Sequence, residues 1–290
     1  MTGRRFSQVD VFTDVLTLGN PVAVVHDADG LDDATLAAFA RWTNLSETTF
    51  LLPPLDPAAD YRVRILTPGR ELPFAGHPTL GSARAWLEAG GVPHDPDVVV
   101  QECGAGLVRV RRDGTRLAFA APPLVRGGAA DDSDVDPVVE ALGLDPADVV
   151  GSRWCDNGPG WLGLLLTSAD AVLAVDGARV GRLAQAGAHD KVGLVGPHPA
   201  GSDVAYEVRA FFPHGVGEDP VTGSLNAALG QWLVGDGVAP ASYVAAQGTV
   251  LGRRGRVHVD QVGDDLWVGG DTVVGVVGET ALSPRPTLEG

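Results

Sequence analysis

The sequence predicts an α+β fold of two similar halves, each a mixed β-sheet or barrel curled around one central apolar helix. Three observations lead there. A chain of 290 residues suits two domains of about 140 residues better than one ordinary core. Each half holds one helix-length stretch almost free of charge: Pro78 to Leu87 has only Arg84, and Val221 to Gly235 has none. Neither shows the polar face that a surface helix needs, so both belong inside, among many short strands. The order of elements also repeats. YRVRILTP at 61–68 matches YEVRAFFP at 206–213, and WLEAGGV at 86–92 matches WLVGDGV at 232–238, the mark of an internal duplication.

Along the chain, Phe6 to Phe12 and Pro21 to His26 read as strands, and Asp32 is placed to cap a helix whose Leu36, Phe39 and Ala40 recur at helical spacing. SETTFLLPP (46–54) turns extended and Tyr61 to Leu66 reads as a strand. The loop TPGRELPFAG (67–76) then leads to a helix from Pro78. Three short strands near 98–120, separated by Gly104 and Gly114, complete the first half. Residues 121–137, APPLVRGGAADDSDVDP, are the best linker candidate, which sets the halves at 1–122 and 123–290; a return of the tail 272–290 to the first half is compatible with that division. The second half repeats the order with Lys191 to Gly196, Tyr206 to Phe212, the loop PHGVGE (213–218), a helix from Pro220, and short strands near 243–270.

The repeat is most informative at GHPTLGS (76–82) and EDPVTGS (218–224), where His77 and Asp219 stand before a proline 142 residues apart (219 − 77). Proline suits the first helical position because its missing N–H would lack a partner there, so the spacing makes His77 and Asp219 the cap residues. The free N–H groups and positive dipole end beyond each cap attract carboxylates. The small pairs Gly81-Ser82 and Gly223-Ser224 let a ligand approach or helices pack closely. Taken singly, Asp-Pro is an ordinary helix start and a histidine there need only cap. Duplication favours function, because halves related by a pseudo-twofold axis bring equivalent helix openings to one cleft, a natural place for a small anionic ligand. Glu47, between a helix end and an apolar strand in NLSETTF (44–50), is the third candidate. Partial burial raises a glutamate's pKa toward neutrality and fits it to carry a proton both ways, whereas a glutamate facing water does neither.

Composition excludes several classes. The net charge of −16 and the single lysine, Lys191, leave no basic surface for nucleic acid or anionic membranes. The start lacks an apolar h-region and no stretch reaches 18 apolar residues, so the expected location is cytoplasmic. Cys103 and Cys155 have no C-x-x-C partner, and the seven histidines show no paired ligand spacing, so neither a disulfide framework nor a metal is expected. Gly158-Pro-Gly-Trp-Leu-Gly163 fits G-x-G-x-x-G only literally, since it precedes a strand and contains Pro159, whereas a dinucleotide site follows a strand and opens a helix.

At these residues the chain resembles the PhzF family, the phenazine-biosynthesis-like proteins, which share the two-domain diaminopimelate epimerase-like fold. The carriers are D-V-F-T-x5-G-N-P-V-A-V-V at 10–25, N-L-S-E-T-T-F at 44–50, G-H-P-T at 76–79 and G-V-G-E-D-P-V-T-G-S at 215–224. The resemblance implies a site in the cleft between two similar halves, and often a homodimer. It implies that Glu47 matches the catalytic glutamate, which moves a proton on a cyclic diene acid in the phenazine-forming member. His77 and Asp219 match its supporting polar pair, Gly76, Gly223 and Ser224 match positions near the bound carboxylate, and Asn20 matches the rim. No motif falls within 121–190, a segment expected to shape specificity. Epimerases of this fold exchange a proton between two cysteines at the helix openings, where this chain has His77 and Asp219. The expectation is therefore a cofactor-independent isomerase acting by proton transfer on a small unsaturated, cyclic carboxylic acid. The alternatives are a non-catalytic small-carboxylate-binding protein and an epimerase or racemase with unusual bases. Asp219 would need a proton or a donor partner beside an anionic substrate, and His77 could supply that donor.

Overall fold

A computed structural model describes residues 3–186, 189–214 and 217–283. Contacts divide the chain into two compact units. Unit 1 runs to Phe119 and includes the chain from Gly270 onward; unit 2 spans Ala120–Gly269.

Unit 1 contains β1 (Arg4–Val11), β2 (Asn20–Val25), α1 (Asp33–Thr43), β3 (Thr48–Leu52), β4 (Tyr61–Leu66), β5 (Glu71–Leu72), α2 (Gly76–Glu88), β6 (Val98–Cys103), β7 (Gly106–Asp113) and β8 (Arg116–Ala120). The local signals hold where they rest on periodicity. Asp32 accepts the Thr35 N–H at 2.7 Å and starts α1. Leu36, Phe39 and Ala40 then bury against Val25, Phe50 and Leu66. In β4, Tyr61, Val63 and Ile65 face inward while Arg62 and Arg64 alternate with them. Strands β1-β2-β3-β4-β6-β7-β8 are joined into a closed ring by the last strand, β16 (Asp265–Thr280), which pairs with both β8 and β1. Helix α2 packs on β1, β2, β3, β6 and β7. Its approach to the wall depends on Gly81, where a Cβ would lie 2.2 Å from Val22 Cγ1.

Unit 2 contains α3 (Asp132–Leu142), β9 (Val149–Cys155), β10 (Trp161–Leu166), α4 (Ala169–Leu173), α5 (Val180–Gln185), β11 (Val192–Pro197), β12 (Tyr206–Phe212), β13 (Gly217–Asp219), α6 (Gly223–Gly235), β14 (Ser242–Gln247), β15 (Gly255–Val262) and the first residues of β16. Its pairing scheme is that of unit 1. β1/β2 and β9/β10 are antiparallel, β2/β3 and β10/β11 parallel, and β3/β4 and β11/β12 antiparallel. β4/β5 and β12/β13 are antiparallel, β4/β6 and β12/β14 parallel, and β6/β7 and β14/β15 antiparallel. The pairs β7/β8 and β15/β16 are antiparallel too. Helix α6 is buried like α2: Leu225 fills the space beside Gly193, Leu229 and Trp232 that beside Gly163, and Gly230 backs onto Val259 and Leu266.

The expected linker at 121–137 is corrected in its last third, because α3 starts at Asp132. Its acidic first turn sits at the favourable dipole end, while Val135, Val138, Ala141 and Leu142 bury against β10, β11 and the short helices α4 and α5. Gly, Asp and Pro around it hide that spacing. Residues 215–216 of the expected PHGVGE loop lie outside the described residues. Among the described residues no helix is long and apolar enough to cross a membrane.

Candidate active site

The central helices do not open where a proline rule places them. α2 begins at Gly76 after an extended Ala75 (φ −153°, ψ 139°), so His77 and Pro78 lie inside its first turn. α6 begins at Gly223 after Thr222 (φ −113°, ψ 99°), and Asp219 ends β13 instead. His77 and Asp219 are therefore not the cap residues that the repeat suggests. Proline fits anywhere in the first turn, whose N–H groups lack helical partners, so it does not fix the first position. Pairing of Asp219 with Ala210 keeps the chain before Pro220 in the sheet. By helix position Gly76 matches Gly223, so Gly223-Ser224 open α6 whereas Gly81-Ser82 lie in the second turn of α2.

Neither central helix has a side-chain cap, whereas α1 is capped by Asp32 and α4 by Ser168. Ala75 has no group to offer. Thr222 has one and uses it elsewhere: its hydroxyl donates to Asp219 Oδ2 at 2.5 Å. An N-terminus without a side-chain cap keeps donors and a positive dipole end for an anion.

At the opening of α2 the fold assembles Asn20, Glu47, Gly76 and His77. Glu47 Oε2 lies 3.4 Å from His77 Nε2, and Asn20 Nδ2 lies 3.4 Å from His77 Nδ1. Burial holds the imidazole neutral, its pKa lowered to about 3 against the upward pull of a hydrogen bond to the Pro21 backbone. The supports are built in. Asp10 Oδ2 accepts the Gly19 N–H, which turns the chain into Asn20. Thr43 Oγ1 donates to the Ala40 carbonyl, so Thr48 donates to Thr43 at 2.7 Å and closes the loop carrying Glu47. Gln101, buried on β6, donates to Thr79 Oγ1 at 3.0 Å and accepts from Tyr61 at 2.9 Å.

At the opening of α6 the fold assembles Asp219, Gly223 and Ser224. Gln247, fully buried on β14, is the centre of a bonded cluster there. Its Nε2 donates to the Asp219 carbonyl at 3.1 Å and to Thr222 Oγ1 at 2.9 Å, and its Oε1 accepts from the Thr222 N–H at 3.0 Å and from Asn226 Nδ2 at 2.8 Å. Arg209 grips Glu218 through two hydrogen bonds, 2.9 and 2.6 Å, and fixes β13 just before Asp219. Ser224 Oγ accepts from Trp161 Nε1 at 3.1 Å, and its carbonyl accepts from Asn157 Nδ2 at 2.9 Å.

Thr222, Gln247, Asn157 and Trp161 escape sequence reasoning because each acts across 21 residues or more, the local bonds of Thr222 to Asp219 and Asn226 apart. One signal was present: Gln101 and Gln247 stand 146 residues apart (247 − 101), as Trp86 and Trp232 do (232 − 86). The cysteines take no part at either opening. Cys103 ends β6 rather than beginning a strand, and Cys155 ends β9 with its thiol pushed up to about 12 by burial.

Two buried helices with uncapped openings, one in each of two duplicated units, are the architecture of the diaminopimelate epimerase-like fold. The comparisons agree. The family model described as phenazine biosynthesis-like protein matches residues 9–281. A protein of Schizosaccharomyces pombe named antisense-enhancing sequence 1 is 36% identical, the match covering 97% of this chain and 100% of that protein. The trans-2,3-dihydro-3-hydroxyanthranilate isomerase of Pseudomonas fluorescens is 34% identical, over 76% of each chain. A crystal structure of a PhzF-family phenazine biosynthesis protein from Enterococcus faecalis superposes with a TM-score of 0.80 at 23% identity, covering 97% of this chain and 100% of that one. The chain belongs to the PhzC-PhzF family, among relatives named as isomerases.

Proposed function

We propose that the chain is a cofactor-independent isomerase that moves a proton on a small unsaturated, cyclic carboxylic acid, with Glu47 as the group that takes and returns it. The observation that carries this reading is Glu47 Oε2 at 3.4 Å from the Nε2 of a buried, neutral His77, beside a central helix that opens without a side-chain cap. Such a distance is long for a hydrogen bond, and catalytic bonds commonly tighten only when substrate is present. Glu47, as a carboxylate, takes a proton from an sp3 carbon next to a double bond that is conjugated with the substrate's carboxylate. The C–H pair becomes a double bond, the former double bond shifts, and the proton returns at the far carbon. No oxidant or reductant enters. The first-turn N–H groups of the helix stabilise the charge that grows on the carboxylate. His77 and Asn20 hold Glu47 on one face, which suits a proton that leaves and returns on the same side. The ring follows the substrate for which the Pseudomonas fluorescens relative is named, trans-2,3-dihydro-3-hydroxyanthranilate.

The test is proton exchange in deuterated water with trans-2,3-dihydro-3-hydroxyanthranilate, followed by proton NMR for wild type and Glu47→Gln. Exchange or double-bond migration that Glu47→Gln loses supports the reading. Binding of equal strength to both proteins without exchange in either replaces it by a non-catalytic carboxylate-binding protein.

A further inference from the structure

The two units repeat one ion pair at the same place in their sheets. Arg64 on β4 and Arg209 on β12 stand 145 residues apart (209 − 64), the offset of Tyr61 and Tyr206 (206 − 61), and their glutamates lie on β5 and β13. Arg64 donates from Nε to Glu71 Oε1 at 2.8 Å and from Nη2 to Oε2 at 2.6 Å, a two-pronged grip like that of Arg209 on Glu218. In each unit the third nitrogen reaches a helix that packs on that strand. Nη1 of Arg209 donates to the Val172 and Val175 carbonyls around the end of α4, and Nη1 of Arg64 donates at 2.7 Å to Asp33 Oδ1 in the first turn of α1.

The two clamps differ in burial. Arg209 and Glu218 are 1% and 7% exposed and belong to the core. In unit 1 the side chains of Arg64, Glu71 and Asp33 are 28%, 44% and 85% exposed, and ion pairs so placed add little stability. Arg64 instead joins the two segments that carry the Glu47–His77 pair. β5 is two residues long and meets β4 only through Leu72 opposite Ile65 and Glu71 opposite Leu66. Four residues, Leu72 to Ala75, then lead to Gly76 and His77, and the Pro73 carbonyl among them accepts the Ala105 N–H at 3.0 Å, which leaves little slack. On the other side Asp33 begins α1, and Glu47 lies between the end of α1 and β3, whose Phe50 stands opposite Arg64.

We propose that Arg64 is a positioning residue, which ties the strand leading to His77 to the helix and strand that flank Glu47 and so sets the acid against the imidazole. This rests on reading Glu47 as the group that carries the proton.

The experiment compares wild type, Arg64→Gln, Arg64→Lys and, as a control for charge, Arg70→Gln, an exposed arginine of the turn between β4 and β5. Turnover of trans-2,3-dihydro-3-hydroxyanthranilate gives kcat and KM, thermal melts give stability, and ring 15N NMR of histidine-labelled protein reports on His77. Arg64→Gln is expected to lower kcat by about tenfold or more with KM within about threefold, the pattern of a displaced reacting group. It melts within about 4 °C of wild type and moves the His77 ring signals. Arg64→Lys, a point charge that cannot grip both oxygens of Glu71 and reach Asp33, falls between, and Arg70→Gln matches wild type throughout. A loss of kcat that comes only with an early melt marks a merely structural residue and overturns the inference. Normal kcat in Arg64→Gln, where Glu47→Gln loses turnover, also overturns it and leaves the isomerase reading intact. Absence of turnover in wild type overturns the isomerase reading; His77 signals that Arg64→Gln leaves in place then overturn the positioning too, and signals that move uphold it. Should Arg64→Gln not fold, Glu71→Gln, which keeps the shape of the side chain and removes its charge, answers the same question.

Discussion

At the opening of α2 both side-chain contacts of the His77 ring are 3.4 Å long, whereas at the opening of α6 the four hydrogen bonds of Gln247 lie between 2.8 and 3.1 Å. The two openings come from one duplicated plan, yet the side-chain contacts of the His77 ring are longer than the hydrogen bonds of the Gln247 amide. Longer contacts at His77 suit a neighbour of a group that must gain and lose a proton. Tight contact suits a group whose state must not change. Under the proposed function, the long contacts of His77 belong with the proton movement assigned to Glu47 in unit 1.

Replacing Glu47 tests the opening of α2 with the largest effect. Glu47→Gln lowers kcat for the isomerisation by about 10²–10⁴-fold, the usual share of a positioned acid/base. Glu47→Asp, which keeps the carboxyl but draws it back, falls between that variant and wild type. Near-wild-type kcat in Glu47→Gln would remove the distinction between the openings.

Gln247→Leu is next. It leaves the Thr222 N–H, the Asp219 carbonyl and Asn226 without their buried partner and costs about 3 kcal/mol or more in urea unfolding. Gln101→Leu removes the bonds to Thr79 and Tyr61 and costs less. Equal losses would mean that the two glutamines are alike and that the tight cluster is not special to unit 2.

His77 gives the pH dependence. Folded, it takes a proton only near pH 3; unfolded, near its ordinary 6.5. Between these values the unfolded chain binds more protons, so this contribution is fully present above pH 6.5 and is lost as pH falls toward 3. From pH 7.5 to 4.5 the loss is about 2–3 kcal/mol. In His77→Gln the difference between the unfolding free energies from urea titration at those two pH values shrinks by that amount. An unchanged difference would place the acid sensitivity elsewhere.

How far these openings could be read from sequence differs between them. At α2, His77 and Glu47 stand in local patterns, His-Pro before a nearly uncharged helix and a glutamate at a helix-to-strand junction, whereas Asn20 came only with the family resemblance. So was the frame: Asp32 at the α1 cap, the alternation of Tyr61 to Leu66, and the duplication. At α6, Asp219 and Ser224 were visible but their roles were not. The Asp-Pro pair matched a rule for helix starts, while the true cap, Thr222, was set by a glutamine 25 residues on. A polar residue in a strand carries no sign of where its side chain goes. The segment 121–190 was opaque for a related reason, as Asn157 and Trp161 act on Ser224 only after β9, β10 and α6 are packed.

The smallest expected effect concerns how the two helices are seated. Alanine at Gly81 would bring its Cβ to 2.2 Å from Val22 Cγ1 and 3.2 Å from Val11 Cγ2, in β2, which begins at Asn20, and in β1. The wall cannot give by that much without moving β2, so overpacking costs about 1–3 kcal/mol. Displacing β2 carries Asn20 away from His77, and kcat falls along with stability. Gly235, at the far end of α6, has nothing within 4 Å of an added Cβ. Alanine there leaves stability equal or raises it by up to about 1 kcal/mol, since glycine is the poorer helix former. Thermal melts of the two variants beside their turnover separate the alternatives. If Gly81→Ala melts early yet turns over normally, the seat of α2 supports the barrel but not the alignment of Asn20, His77 and Glu47.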